Sequence, residues 1–102
     1  MRRAARTDRN HAEIINAFRR LGWSVHDTSR LGGGFPDLVA YKSGHSVMLV
    51  EVKDGDLPPS RRKLTRDEEV FAENFPVYIV GSVDDVLEIA KSPSEWALNH
   101  CS

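Results

Sequence analysis

Apolar residues recur with helical spacing early in the chain. Ile14, Ala17, Phe18 and Leu21 fall at i, i+3, i+4 and i+7, one stripe of a helix from about Asn10 to Leu21. Asp8 or Asn10 can cap its start, and Gly22 stops it. The period then shortens. Trp23 to Thr28 reads as a first strand, Asp37 to Tyr41 as a second and Ser46 to Lys53 as a third. The link Lys42-Ser43-Gly44-His45 makes the last two a hairpin. The third strand is apolar on both faces until its end, as suits a central, covered strand. Asp54 to Lys63, with Gly55 and Pro58-Pro59, reads as loop.

Thr65-x-x-Glu68 is a capping-box pattern, and it opens a helix running to about Asn74. Val77 to Val80 reads as a fourth strand after Pro76. Ser82 caps a third helix carrying Val83, Val86, Leu87 and Ala90. Trp96 and Leu98 in the tail are expected to pack back, and Phe18, Trp23, Phe71 and Phe75 read as core. The order αβββαβα predicts an α/β sandwich with a mixed sheet flanked by helices.

The 102 residues suit one domain, and 40% apolar with 28% charged is ordinary for a water-soluble one. No apolar run is long enough to cross a bilayer, and no apolar stretch follows the arginine-rich start, so no membrane contact and no secretory signal are expected. Cys101 is the one cysteine, so neither an intramolecular disulfide nor a cysteine zinc site is expected, which fits a cytoplasmic location. The four histidines lack metal-ligand spacing and read as surface groups. Net charge is −1, yet residues 1–35 carry seven bases against three acids, and the remainder seven against twelve. Arg61-Arg62-Lys63 forms a second basic cluster within the acidic part. Two basic patches beside an acidic centre suit a phosphate backbone.

Candidate chemistry lies in Gly34-Phe35-Pro36-Asp37 and Glu51-Val52-Lys53. Glu51 and Lys53, two apart on a strand, share a face. Asp37 joins them only if the hairpin connection is odd in length or bulged. A two-residue Ser43-Gly44 loop would oppose Asp37 to Val50, on the wrong face. A Lys42-Ser43-Gly44 loop would oppose it to Leu49, diagonal to Glu51, and a Ser43-Gly44-His45 loop to Glu51 itself. Two carboxylates suit a hard divalent cation that keeps several waters, and a cation beside a lysine suits phosphodiester hydrolysis. Lys53 could orient or deprotonate water, or stabilise developing charge.

The Gly-x-Pro-Asp and Glu-x-Lys pattern, joined to Leu64-Thr65-x-Asp67-Glu68 and the preceding helix, resembles the PD-(D/E)XK nuclease superfamily. It is most similar to the small VRR-Nuc and phage Holliday-junction-resolvase-like members, over roughly residues 8–90. The resemblance implies a restriction-endonuclease-like αβββαβ core within a single nuclease domain of residues 1–102, with a basic N-terminal arm and a C-terminal tail. It implies Asp37, Glu51 and the backbone carbonyl of Val52 as contacts to Mg²⁺ or Mn²⁺, and Lys53 as the catalytic lysine. Glu13 matches an accessory acid of the first helix. Glu68 stands where many VRR-Nuc relatives have Gln, and is a candidate accessory acid or a helix cap. Arg6, Arg9, Gly33, Gly34, Arg61, Arg62 and Lys63 are candidate DNA contacts. The expected activity is DNA endonuclease hydrolysis selective for branched or junction DNA. The expected partners are DNA, a second copy in a homodimer, and a helicase or other DNA-processing machine, in a bacterial or phage-infected cell. The alternatives are a catalytically silent nucleic-acid-binding module and a nuclease subunit of a larger complex.

Overall fold

A computed structural model describes residues 8–91. The elements run α1 (His11–Arg20), β1 (Ser24–Asp27), β2 (Leu38–Tyr41), β3 (Met48–Val52), a 3-10 turn at Pro59–Arg61, α2 (Arg66–Asn74), β4 (Val77–Val80) and α3 (Val83–Lys91). The order agrees with the periodicity, and the strands are shorter than their apolar runs. Trp96, Leu98 and the rest of the tail lie outside the described residues, as does Arg6. No helix among the described residues is long and apolar enough to cross a membrane.

The strands form one mixed sheet in the order β1-β2-β3-β4. β1/β2 and β2/β3 are antiparallel and β3/β4 is parallel. Alternation sends Leu38, Ala40, Met48, Val50 and Val52 to one face, where each is at most 2% exposed. They meet Ile14, Ile15, Ala17 and Phe18 of α1 and Val86 and Ile89 of α3 in a single core. Full burial of an aliphatic or phenyl side chain is worth about 1.5–3 kcal/mol, so this layer dominates the fold's stability. α1 and α3 also pack on each other.

α2 is different, since none of its residues is buried. Phe71 lies between Phe35, at 5.3 Å and edge-on, and Phe75, stacked at 4.6 Å. Phe75 is 51% exposed. The expectation of core positions for Phe71 and Phe75 is therefore corrected: α1 and α3 already fill the core face, and α2 rests on the glycine loop instead. Leu87 is also corrected, because Val86 and Ile89 take the core side of α3 and leave it 42% exposed. His11, expected at the surface, is 8% exposed, with its Nε2 3.2 Å from Asp27 Oδ2.

The hairpin register pairs Leu38 with Val50, Val39 with Leu49 and Ala40 with Met48. It is symmetric about Gly44, whose φ of 87° is the left-handed conformation such a turn needs. The turn closes through His45 N–H donating to the Lys42 carbonyl at 2.9 Å. Carried one residue further, this register sets Asp37 opposite Glu51, as the odd connection requires.

Phe18 is fully buried and meets Trp23 edge-on, whereas Phe75 is half in water. Phe18→Ala should lower the unfolding free energy by about 3–5 kcal/mol, and Phe75→Ala by about 1 kcal/mol or less, measured by urea denaturation.

Candidate active site

Asp37 is fixed by its backbone before its side chain acts. Thr28 N–H donates to the Asp37 carbonyl at 2.8 Å, and Thr28 Oγ1 donates to the Pro36 carbonyl at 2.7 Å. The Asp37 carboxylate crosses to β3, where Oδ2 accepts the Val52 N–H at 2.8 Å. Beside it Glu51 is 3% exposed. Lys53 continues the same face past the end of β3, its N–H donating to the Val80 carbonyl at 2.9 Å. Its Nζ lies 3.6 Å from Glu51 Oε2 and 2.8 Å from Glu68 Oε1.

Glu68 reaches the site from the first turn of α2. Its Oε1 also accepts the Thr65 N–H at 2.8 Å, while Thr65 Oγ1 accepts the Glu68 N–H at 3.2 Å. Both halves of the capping box are present. Glu68 thus caps the helix and holds Lys53 at once. Gly34 lets this happen: its φ is 85°, and a Cβ there would strike the Asp67 backbone. The glycine loop and the start of α2 can therefore meet only through a residue without a side chain.

A fourth carboxylate arrives from outside the periodic elements. Asp8, just before α1, feels the charges of Lys53, Asp37, Asp54 and Glu68. Its sequence signal was that of a helix cap, and the cap position is held instead by Asn10. Glu13 is exposed on α1 and makes no hydrogen bond or ion pair with the described residues of the cluster. The helix turns its buried stripe to the sheet, and Glu13 falls off that stripe.

No family model matches the sequence, and no curated protein matches it. A solved structure described as a VRR_NUC domain matches at 28% identity and TM-score 0.55, over 82% of this chain and 92% of that one. The chain has a VRR-Nuc, PD-(D/E)XK-type nuclease fold. Within that nuclease fold, Asp37, Glu51 and Lys53 occupy the ends of two paired strands, where the residues of the Gly-x-Pro-Asp and Glu-x-Lys motifs meet.

The electrostatics of the site are lopsided, with four acids around one lysine. Burial, and then the charge of Asp37 and the contacts with Glu68, push Glu51 up to about 10. Burial also raises Asp8, against the pull of Lys53. Burial would lower Lys53, but the Glu68 hydrogen bond and the Glu51 charge outweigh it and raise it. Burial would raise Glu68, but hydrogen bonds from Lys53 and Thr65 outweigh that and lower it. Among the described residues no three His, Cys, Asp or Glu side chains are grouped as a ready-made cation cage. Mg²⁺ needs less, since one or two carboxylates with waters and substrate phosphate usually suffice. Paired hard oxygens in a buried, cation-poor place fit such an ion.

The candidate DNA contacts are scattered in kind. Arg9 is tied up, with Nε 2.6 Å from Asp54 Oδ2 and Nη2 2.7 Å from Asp56 Oδ2. Arg61 and Lys63 are exposed, and Arg62 is half-buried with Nε lacking a partner among the described residues. Gly33 is exposed, with open space where a side chain would stand.

Glu51 has a folded-state pKa above its unfolded one. Its protonated form therefore stabilises the fold most at low pH, and that contribution fades as pH rises from about 4.5 toward about 10. Without metal, stability should fall across this range, and Glu51→Gln should flatten the fall. The variant should be the more stable form by about 1 kcal/mol or more near the alkaline end. Thermal unfolding in EDTA at a series of pH values checks this. Added Mn²⁺ should reverse the trend, because a ligating carboxylate must lose its proton.

Proposed function

We propose that the chain is a divalent-metal-dependent DNA endonuclease. The observation that carries the reading is the opposition of Asp37 to Glu51, with Lys53 two residues on, in a VRR-Nuc-type fold. Asp37 and Glu51, with the Val52 carbonyl, would hold Mg²⁺ or Mn²⁺. When bound, the ion would acidify a water and polarise the phosphodiester. Lys53 stays protonated beside Glu51 and Glu68, which favours a role in stabilising phosphoryl charge over one in removing a proton. Glu68 orients the Lys53 ammonium.

Arg61 on the 3-10 turn, with Arg62 and Lys63 just after it, precedes α2, and the exposed Arg61 and Lys63 suit backbone phosphates best. Gly33 faces open space and leaves room for a strand to approach the loop before Asp37, while Gly34 is packed against the Asp67 backbone. Among the described residues no element suggests a base-reading module, so selectivity for DNA shape, such as a flap or junction, fits better than site-specific cutting. A two-fold homodimer would cut two strands with two such sites. The engagement of Arg9 by Asp54 and Asp56 leaves fewer free cations for DNA. That favours, as a second reading, a nuclease subunit that borrows affinity from a larger complex.

Purified protein incubated with linear duplex, flap and four-way-junction DNA should cut in Mg²⁺ or Mn²⁺ and not in EDTA. Glu51→Gln should abolish cutting, and Lys53→Ala should slow it by about 10²–10³-fold. Absence of cutting on every substrate with either metal would sink the autonomous enzyme. Light scattering of the same sample tests the dimer, which a monomer at high concentration would refute.

A further inference from the structure

Three phenyl rings form a ladder between the glycine loop and α2. Phe35 meets Phe71 edge-on at 5.3 Å, and Phe71 stacks on Phe75 at 4.6 Å with 24° between the rings. The ladder ends in water. Phe75 is 51% exposed, and Val70 on the same helix is 41% exposed. Beside the rings is a small recess of about 300 Å³, lined by Gly33, Asp67, Val70, Phe71, Asn74 and Phe75. That volume is at the lower end for small-ligand clefts and suits one flat ring system. Its polar groups are of one kind. Asn74 spends its Nδ2 on the Val70 carbonyl at 2.9 Å, which leaves Oδ1 to accept, and the exposed Asp67 carboxylate accepts as well.

Asp67 ties the recess to the site. Its backbone packs on Gly34, three residues before Asp37, and the next residue, Glu68, holds Lys53. From Glu68 to Phe75 is about 10 Å along α2. At the spacing of about 3.4 Å along a B-DNA strand this is about three nucleotides, and fewer in an extended strand. Charge runs along the helix in the matching sense. The exposed cations Arg61, Lys63 and Arg66 stand before α2 or at its first residue, where the helix dipole also favours phosphate, and the open ring stands at its far end.

We propose that Phe75, backed by Phe71 and Phe35, is a stacking platform for an unpaired nucleobase of the DNA strand at the site. Asp67 and the Asn74 Oδ1 accept from its exocyclic amino group. Cytosine, adenine and guanine carry that group, and thymine does not, so thymine is the disfavoured base. A paired base keeps its faces inside the duplex, whereas a flap or junction frees one. The platform thus deepens the reading of selectivity for DNA shape, and rests on it for the ligand being DNA. A second copy seated here in a two-fold contact fits less well, because each chain would bring Asp67 toward the other's acids.

The test is binding of single-stranded oligo-dC, oligo-dA and oligo-dT to the full chain in EDTA, so that neither metal nor cutting enters. Fluorescence anisotropy gives affinity, and quenching of a 2-aminopurine base in the oligomer reports stacking. Phe75→Ala should weaken binding by about 5-fold or more and remove the quenching. Phe75→Leu, which keeps apolar bulk, should lose as much, and Phe75→Trp should retain both. Asp67→Asn should narrow the gap between oligo-dC and oligo-dT, and an unchanged gap would overturn the part given to Asp67. Wild-type affinity and quenching in Phe75→Ala or Phe75→Leu would overturn the platform, as would a wild-type chain that binds no oligomer at millimolar concentration. If Phe75→Ala fails to fold, Phe75→Leu and Phe75→Trp still decide. A dimer that Phe75→Ala dissociates in light scattering, with DNA affinity unchanged, would assign the patch to a second copy and overturn the proposal. Wild-type protein that quenches through Phe75 yet cuts no DNA with either metal would leave the platform standing and remove the nuclease activity. Cutting with no effect of Phe75 on binding would do the reverse.

Discussion

A single ammonium group serves three carboxylates in this fold. Lys53 contacts Glu68 and Glu51 directly, and its charge is felt by Asp8. Burying like charges together is costly unless something of opposite sign is near. The rest of the structure can be understood as the means of holding that cluster despite its cost. The core layer under Val50 and Val52 makes β3 rigid, Thr28 pins the backbone of Asp37, and the glycine loop lets α2 come close enough for Glu68 to reach.

The sheet was legible because strand parity is arithmetic. Once two strands are joined by a short hairpin, the length of the link decides which side chains share a face, and Asp37 meeting Glu51 follows from the register about Gly44. The capping box was legible for a similar reason, being a local pattern with a local cause. The VRR-Nuc-like motif itself combines both kinds of signal, which explains why a match at 28% identity agrees with the reading of the sequence.

What was not legible depended on which surfaces meet. Phe71 and Phe75 look like core residues in sequence, but only a third layer could have buried them, and α1 and α3 fill the layer that exists. Leu87 lost its place to Ile89 because the core side of α3 is narrower than the run of apolar residues on it. His11 is buried through a contact with β1 that no helical period could announce. Asp8, Arg9 and Asn10 stand outside every periodic element, and their partners are 43 or more positions away for Arg9 and Asn10.

The shared oxygen of Glu68 ties together two events that would otherwise be independent. The same Oε1 accepts the Thr65 N–H that starts α2 and the Lys53 ammonium. α2 buries none of its residues, so its start relies on that cap more than a core helix would. Fraying of the helix therefore releases Lys53, and neutralising Lys53 loosens the helix. The start of a surface helix and the charge at the centre of the cluster thus share one oxygen atom.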